Sequence, residues 1–264
     1  MINTIKERFD QDRIVRVMAL GQLASPKLVE LAGRFADVHG VWLDQEHSAI
    51  SHAELELLLT ACRAAGLDAF SRVAPTAGYT GFMRPMEAGC SGVMAAQIRT
   101  MDEVQQIASW SKYPPRGTRG LFLGCYESGF GGVSAEKHIQ QANEDRWLAI
   151  QIETAESVEL VDDIARTDGV DWLFVGPSDL SCTLGVPGQF DHPDFLRAIE
   201  RVAQAARQVG KPWGTLARDV GFARSCREMG CQLFSVVGDV DAVKFGLAVA
   251  NERMTELFGA DDNA

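Results

Sequence analysis

The sequence predicts an α/β protein built as a (β/α)₈ barrel with an extra C-terminal helix. Three observations predict it. Short β-rich runs alternate with amphipathic helical patterns, eight of each before a last helix. The junctions repeat one plan of helix end, glycine and strand, as in ADVHGVWLD, AAGLDAFSRV, EAGCSGVMAA, TDGVDWLFVG and EMGCQLFSVV. Repeated αβ units imply parallel strands with right-handed crossovers, and eight of them suit closure. The chain has 264 residues, is 46% hydrophobic, and contains no linker, low-complexity tract or charge block, so a single domain over 1–264 is expected.

Each element has a local warrant. Residues 14–21, IVRVMALG, and 40–44, GVWLD, are short apolar runs of the kind that form buried strands. Between them Ser25 precedes Pro26, an N-cap followed by a first-turn proline, which opens a helix over 26–36. Ser51 and Glu54 have capping-box spacing for a helix over 52–65, and Gly66 follows its end. Further strands fall at 68–74, 91–96, 148–153, 171–176, 212–216 and 232–237. Helical patterns lie between them at 79–88, 102–111, 134–143, 155–166, 193–209 and 221–229, with Gly89 and Gly210 past two of the ends. A last helix runs from about residue 241 to 258, within a C-terminal segment 239–258. The longest non-periodic stretch, YPPRGTRGLFLGCYESGFGGVS at 113–134, is expected to form an ordered flap because it carries Phe122, Tyr126 and Phe130.

Composition narrows the function. The net charge is −11 and the pI about 4.9, a balance that disfavours nucleic acid and anionic membranes as partners. The six cysteines show neither CxxC nor zinc-type spacing, which suits reduced core thiols. The N-terminus, MINTIKERFDQDR, is charged rather than apolar, and no apolar run approaches a membrane span. These points read as a cytoplasmic protein. GxxxxGK[ST], GxGxxG and GxSxG are all missing, so nucleotide-binding and serine-hydrolase readings lose their usual support.

In a parallel barrel the chemistry collects at the C-terminal ends of the strands. Those ends here carry Asp44, Glu46 and His47 in WLDQEH, then Arg72, Gln97, Gln151 with Glu153, and Asp179 in GPSDL. Glu153 and Asp179, from neighbouring strands, make a hard oxygen pair suited to Mg²⁺ or Mn²⁺, with waters or substrate oxygens completing the shell. Asp179 alone would equally cap the helix after it. Arg72 on an apolar strand requires a negative partner, Asp44 or Glu46, and its planar fork also suits a carboxylate or enolate oxygen. His47 is either a satisfied loop histidine or a base held by Asp44. The backbone N–H groups around Gly176 and Ser178 offer a place for a carboxylate.

These residues resemble the HpcH/HpaI aldolases, metal-dependent class II pyruvate aldolases, over about residues 13–250. WLDQEH, KYPPRGTRG, QIET and DGVDWLFVGPSDLSCTLGVPGQFDHP carry the likeness. The resemblance implies a TIM barrel of the phosphoenolpyruvate/pyruvate type. It implies a carbon–carbon lyase that reversibly cleaves a 4-hydroxy-2-oxo acid, such as a 2-keto-3-deoxy sugar acid, to pyruvate and an aldehyde through a metal-stabilised enolate. By the same resemblance Glu153 and Asp179 hold the divalent metal (Mg²⁺, Mn²⁺ or Co²⁺) and Arg72 stabilises the enolate oxygen. His47, oriented by Asp44, moves the proton, and Glu46 lies near the metal's water. Gln151 contacts a substrate oxygen, the Gly176–Ser178 backbone holds the carboxylate, and Leu216 lines the pocket. Glu87 sits where relatives carry an acid that reaches a neighbouring subunit's site. A homohexamer with exchanged C-terminal helices is implied.

Three positions depart from the family pattern. Gln45 replaces a smaller residue, MAAQIRT carries Gln97 in place of an apolar segment with proline, and the first strand lacks a tryptophan. All three are expected on the aldehyde side of the site. Rival readings are an oxaloacetate-type decarboxylase or an acyl-CoA lyase on the same scaffold. An inactive binding or assembly barrel ranks below them, because an idle site need not keep Arg72, His47, Glu153 and Asp179 together.

Overall fold

The computed structural model describes residues 4–259. Eight parallel strands close a barrel in chain order: β1 Val15–Leu20, β2 Gly40–Asp44, β3 Asp68–Val73, β4 Gly92–Ala95, β5 Trp147–Ile152, β6 Trp172–Val175, β7 Trp213–Leu216 and β8 Leu233–Gly238. β8 pairs back to β1, as the eight repeated units require. The predicted strands are all present. The capping box at Ser51/Glu54 forms as its spacing predicts, and Thr100/Glu103 forms a second one.

Strand alternation builds the interior in layers. Trp42, Phe70, Trp147, Trp172 and Phe174 pack as an aromatic floor, with ring centroids 4.8 Å apart for Trp147–Trp172 and 5.2 Å for Phe70–Trp147. Two residues further along, the same alternation turns Asp44 and Arg72 inward above Trp42 and Phe70. The β2/β3 register sets Asp44 directly opposite Arg72. Gln151 and Glu153 follow Ala149 inward in the same way. Gly92 permits the floor, because a Cβ there would lie 2.0 Å from the Trp147 ring. The outer shell, between strands and helices, is aliphatic and includes Val93, Ile150, Leu173, Ile199 and Val202.

Three local features differ from the expectation. Helix Ile5–Asp10 precedes the barrel, capped by Thr4 and Glu7 and tied to Asp68, whose carboxylate accepts the Ile5 N–H at 2.7 Å. The helix expected over 155–166 breaks at Leu160 into Ala155–Glu159 and Val161–Arg166. A short helix, Pro177–Thr183, follows β6 ahead of the helix expected from 193, and Asp179 lies within its first turn.

Segment 113–134 is ordered, as expected, by a buried charge cluster. Glu127 accepts a bidentate pair from Arg119 and a 3.1 Å bond from Arg146 Nε. The segment lies along helices His52–Ala65 and Gly78–Ala88, through Arg63 over the Tyr126 ring and Gly120 N–H to Tyr79 Oη. It is therefore not a flap over this chain's own rim, and it leaves Phe122, Tyr126 and Phe130 exposed. Helix Asp239–Phe258 leaves the barrel from β8 with Val243, Phe245, Leu247, Val249, Leu257 and Phe258 exposed.

Candidate active site

The strand ends bring most of the predicted residues together. Arg72 grips Asp44 with both arms, Nε to Oδ1 at 3.0 Å and Nη2 to Oδ2 at 2.6 Å, and its Nε lies 3.1 Å from Glu46 Oε2. Its guanidinium rests 4.7 Å above the Trp42 ring, so the aromatic floor supports it from below. Among the described residues Nη1 donates to no protein atom, which leaves one arm of the fork free. Burial alone would weaken the cation, but the Asp44 bond and the charges of Asp44, Glu46 and Glu153 hold it more firmly protonated than usual.

Glu153 is fully buried at the end of β5. Its Oε1 accepts the Gln97 backbone N–H at 2.7 Å, and its Oε2 accepts from Gln151 Nε2. Gln97 presents that N–H from the left-handed region, φ 53°, a strained conformation for a non-glycine residue. Burial pushes the Glu153 carboxyl up to about 8. The Gln97 bond and Arg72 oppose this, while Glu46 and Asp179 add to it. Glu46 is raised too, first by burial, with Asp44 and Asp179 adding to it and Arg72 and His47 opposing. Carboxylates that raise one another leave negative charge for a cation to neutralise.

The residues fit a hard divalent cation on this structure's own terms. Among the described residues Gln151 Oε1 and Glu46 Oε2 are buried oxygens that accept no hydrogen bond, Glu46 Oε2 having only the ion-pair contact with Arg72. Gly176 completes the cradle, since a Cβ there would lie 2.4 Å from Glu153 Oε2 and 2.5 Å from Gln151 Nε2. Among the described residues no group of three or more Asp, Glu, His or Cys forms a self-sufficient metal cluster. Two carboxylates with the remaining positions open match the way Mg²⁺ is bound by proteins.

Several expected roles change in detail. Asp44 does not touch the His47 ring; it accepts the backbone N–H groups of Glu46 (3.0 Å) and His47 (3.3 Å) and so shapes the loop. The nearest carboxylate to the ring is Glu46, 3.8 Å from Nε2, and the His47 side chain is 58% exposed. Gln45 is turned away from the site: it accepts from Ser71 Oγ at 2.8 Å and donates to Ile50 O at 3.2 Å, so it braces the loop. The Gly176 N–H is taken up by Ile152 O, leaving that of Ser178, in the first turn of helix Pro177–Thr183, without an intrahelical acceptor. Asp179 follows in the same turn, and Leu216 ends β7 facing the floor cluster. Glu87 is apart from the rim. It sits on the outer side of helix Gly78–Ala88, lining a cleft of about 510 Å³ with Arg63, Arg84 and Tyr126.

Two rim contributors escaped the sequence reading. The Gln97 backbone gives no sequence signal, since its φ is visible only in three dimensions. Asp239 does have one, because it ends β8 as the other acids end theirs. It is buried and accepts the Gly21 and Leu23 N–H groups, each at 2.8 Å, fixing the loop after β1.

Comparison with known proteins finds relatives over most of the chain. Residues 82–243 match the family model described as HpcH/HpaI aldolase/citrate lyase. The chain is 32% identical over 244 residues to a 5-keto-4-deoxy-D-glucarate aldolase of Escherichia coli, covering 92% of each chain. It is 30% identical over 224 residues to a hydroxypyruvate/pyruvate aldolase of Sagittula stellata, covering 81% of this chain and 82% of that one. The crystal structure of an HpcH/HpaI aldolase from Desulfitobacterium hafniense superposes with a TM-score of 0.89 at 28% identity, covering 97% of this chain and 98% of that one.

Proposed function

This chain belongs to the HpcH/HpaI aldolase/citrate lyase family and is a carbon–carbon lyase of the aldolase kind, and from that premise we propose that it cleaves a 4-hydroxy-2-oxo sugar acid to pyruvate and an aldehyde. The observation that carries the reading is the convergence of Glu153 and Asp179 on a rim where Arg72 is locked by Asp44 with one arm free. Glu153 and Asp179 would hold the divalent cation, Mg²⁺ or Mn²⁺ with Co²⁺ as a third option, which supplies Lewis acidity to the 2-oxo acid.

The chain's own residues do the rest. Substrate loses the proton of its C4 hydroxyl, the C3–C4 bond breaks to release the aldehyde, and the electron pair collects as an enolate. The free Nη1 of Arg72 meets that oxygen where charge develops, and the Asp44 lock spares it reorganisation. His47, exposed at the mouth with Glu46 beside its ring, carries the proton between the hydroxyl, solvent and C3. Gln151 Oε1 and the Ser178 N–H serve as contacts to substrate oxygens, with Leu216 on the wall. A screen of 4-hydroxy-2-oxo acids with each metal, following pyruvate release, tests this. Metal-dependent release abolished by Glu153→Gln is the expected result. Release unaffected by chelator, or by that substitution, overturns it.

The apolar residues exposed along helix Asp239–Phe258 support a homo-oligomer, a hexamer, in which this helix is exchanged between subunits. A groove of about 340 Å³ by β8 and β1, with Ile14, Val220, Phe234 and Val236 on its floor and Arg16, Arg224 and Arg227 also lining it, would receive a partner's helix. Glu87, facing outward, is then placed to reach a neighbour's site. None of the described helices is long and apolar enough to cross a membrane. The unpaired cysteines support a cytoplasmic location.

A further inference from the structure

His47 is fixed by its backbone rather than by its ring. The side chain is exposed at the mouth, and the nearest carboxylate, that of Glu46, stands 3.8 Å from Nε2. The His47 N–H reaches Asp44 Oδ1 at 3.3 Å, beyond the usual range of an N–H···O bond. The His47 carbonyl accepts from Gln22 Nε2 at 2.6 Å, the shorter of the two bonds. Among the described residues that carbonyl accepts from no other group. Gln22 comes from the loop after β1, and the enolate chemistry makes no direct use of it.

That loop is held from β8. Asp239 is buried just after β8 and is the first residue of helix Asp239–Phe258. One of its oxygens, Oδ2, accepts both the Gly21 and the Leu23 N–H groups, each at 2.8 Å. The two bonds flank Gln22 and fix the backbone on either side of it. The other oxygen, Oδ1, accepts the Val240 N–H at 2.8 Å, which aims the carboxylate. The loop also lies against the one after β2: a Cβ on Gly21 would stand 3.6 Å from the Cβ atoms of both Asp44 and Ser48. Ser48 in turn donates its hydroxyl to the Asp44 carbonyl.

These bonds form one chain across three strand ends, from Asp239 after β8, through Gln22 after β1, to His47 after β2. An exposed imidazole rotates among its rotamers, so the position of its backbone sets what the ring can reach. A misplacement of about 1 Å in a group that takes part in the reaction costs on the order of 100-fold in rate. The tie to Gln22 therefore bears on proton transfer although neither Gln22 nor Asp239 meets the reacting atoms.

We propose that Gln22 and Asp239 are positioning residues for the proton carrier, holding His47 at the mouth through its backbone carbonyl. The inference rests on the proposed role of His47 in proton transfer. Loss of either residue should slow that transfer and spare the binding of cation and substrate.

The test follows methyl exchange of pyruvate in D₂O, and kcat and KM for cleavage, in the full-length protein, with Mn²⁺ affinity and thermal melting measured alongside. His47→Ala should slow exchange about 100-fold, the share of a positioned acid–base group. Gln22→Met keeps the length of the side chain and loses the donor; Asp239→Asn keeps one acceptor oxygen where two are in use. Each should lower exchange and kcat about tenfold, with KM and Mn²⁺ affinity changed less than about twofold. The double variant should be no slower than the slower single one, because both bonds serve one chain. Added imidazole should restore exchange in His47→Ala and in Gln22→Met, since the exposed mouth admits a small base. Gln22 is exposed, so Gln22→Met carries the test if Asp239→Asn fails to fold. Exchange lost in His47→Ala but unchanged in Gln22→Met overturns the proposal alone. Unchanged exchange in His47→Ala overturns the reading beneath it as well. A loss in Gln22→Met that imidazole leaves unrepaired, or that comes with weaker Mn²⁺ binding, makes the role merely structural and also overturns the proposal.

Discussion

Gly176→Ala isolates one collision in the site. The backbone at Gly176 has φ −93° and ψ 92°, which alanine adopts without strain, and Gly176 only caps a short helix. The new methyl group would meet Glu153 Oε2 at 2.4 Å, whereas ordinary contact begins near 3.4 Å. Glu153 or Gln151 must therefore retreat by about 1 Å. Glu153 has little freedom, being held from the other side by the Gln97 N–H at 2.7 Å. A displacement of about 1 Å in a reacting constellation costs on the order of 100-fold in rate, roughly 2.7 kcal/mol of barrier. Displacing a metal ligand also weakens metal affinity, by about 10- to 100-fold. Pyruvate release measured against metal concentration, with thermal melting as a control, reads both effects. A variant that melts like the parent but has unchanged kcat/KM and unchanged metal affinity would refute the placement of Glu153 and Gly176 in one cradle.

Other expectations follow from particular contacts. Asp44→Asn removes the charge that locks Arg72 and should lower kcat by about 100-fold or more, with KM less affected, because the lost interaction serves developing charge; equal loss in both parameters contradicts that assignment. Glu127→Gln leaves Arg119 and Arg146 poorly paired in a buried cluster, so segment 113–134 should become the first site of limited proteolysis. Burial, with Arg8 and Arg16 nearby, pulls the His39 imidazole down from 6.5 to about 4. The folded state thus resists a proton that the unfolded chain accepts, so this contribution is complete above pH 6.5 and is lost as pH falls toward about 4. After discounting for its exposure the loss is roughly 1–2 kcal/mol, and His39→Gln should flatten the urea midpoint over that window.

Much of the barrel was legible because each αβ unit carries its own punctuation. Ser25–Pro26, Ser51/Glu54 and the glycines past helix ends are local signals, and the structure uses them locally. Helix Ile5–Asp10 was equally signalled by Thr4 and Glu7, yet its one buried contact, Ile5, is too little apolar pattern to find. The break at Leu160 had no signal, since no glycine or proline marks it. At the candidate site, residue types at strand ends marked the rim, whereas their pairings depended on register. That Asp44 locks Arg72 follows from the β2/β3 register, and that Gln45 braces Ser71 follows from the direction of a single side chain. Neither is encoded in spacing along the chain. The positive φ of Gln97 is likewise a product of tertiary packing around Glu153.

The rim is proposed to generate the enolate of pyruvate with a cation held by Glu153 and Asp179. Its most direct test is hydrogen–deuterium exchange at the pyruvate methyl group in D₂O, followed by NMR, with chelator-stripped protein and added Mg²⁺, Mn²⁺ or Co²⁺. Exchange should return only with metal and disappear in Glu153→Ala. Exchange without metal, or none with any of the three, would contradict it.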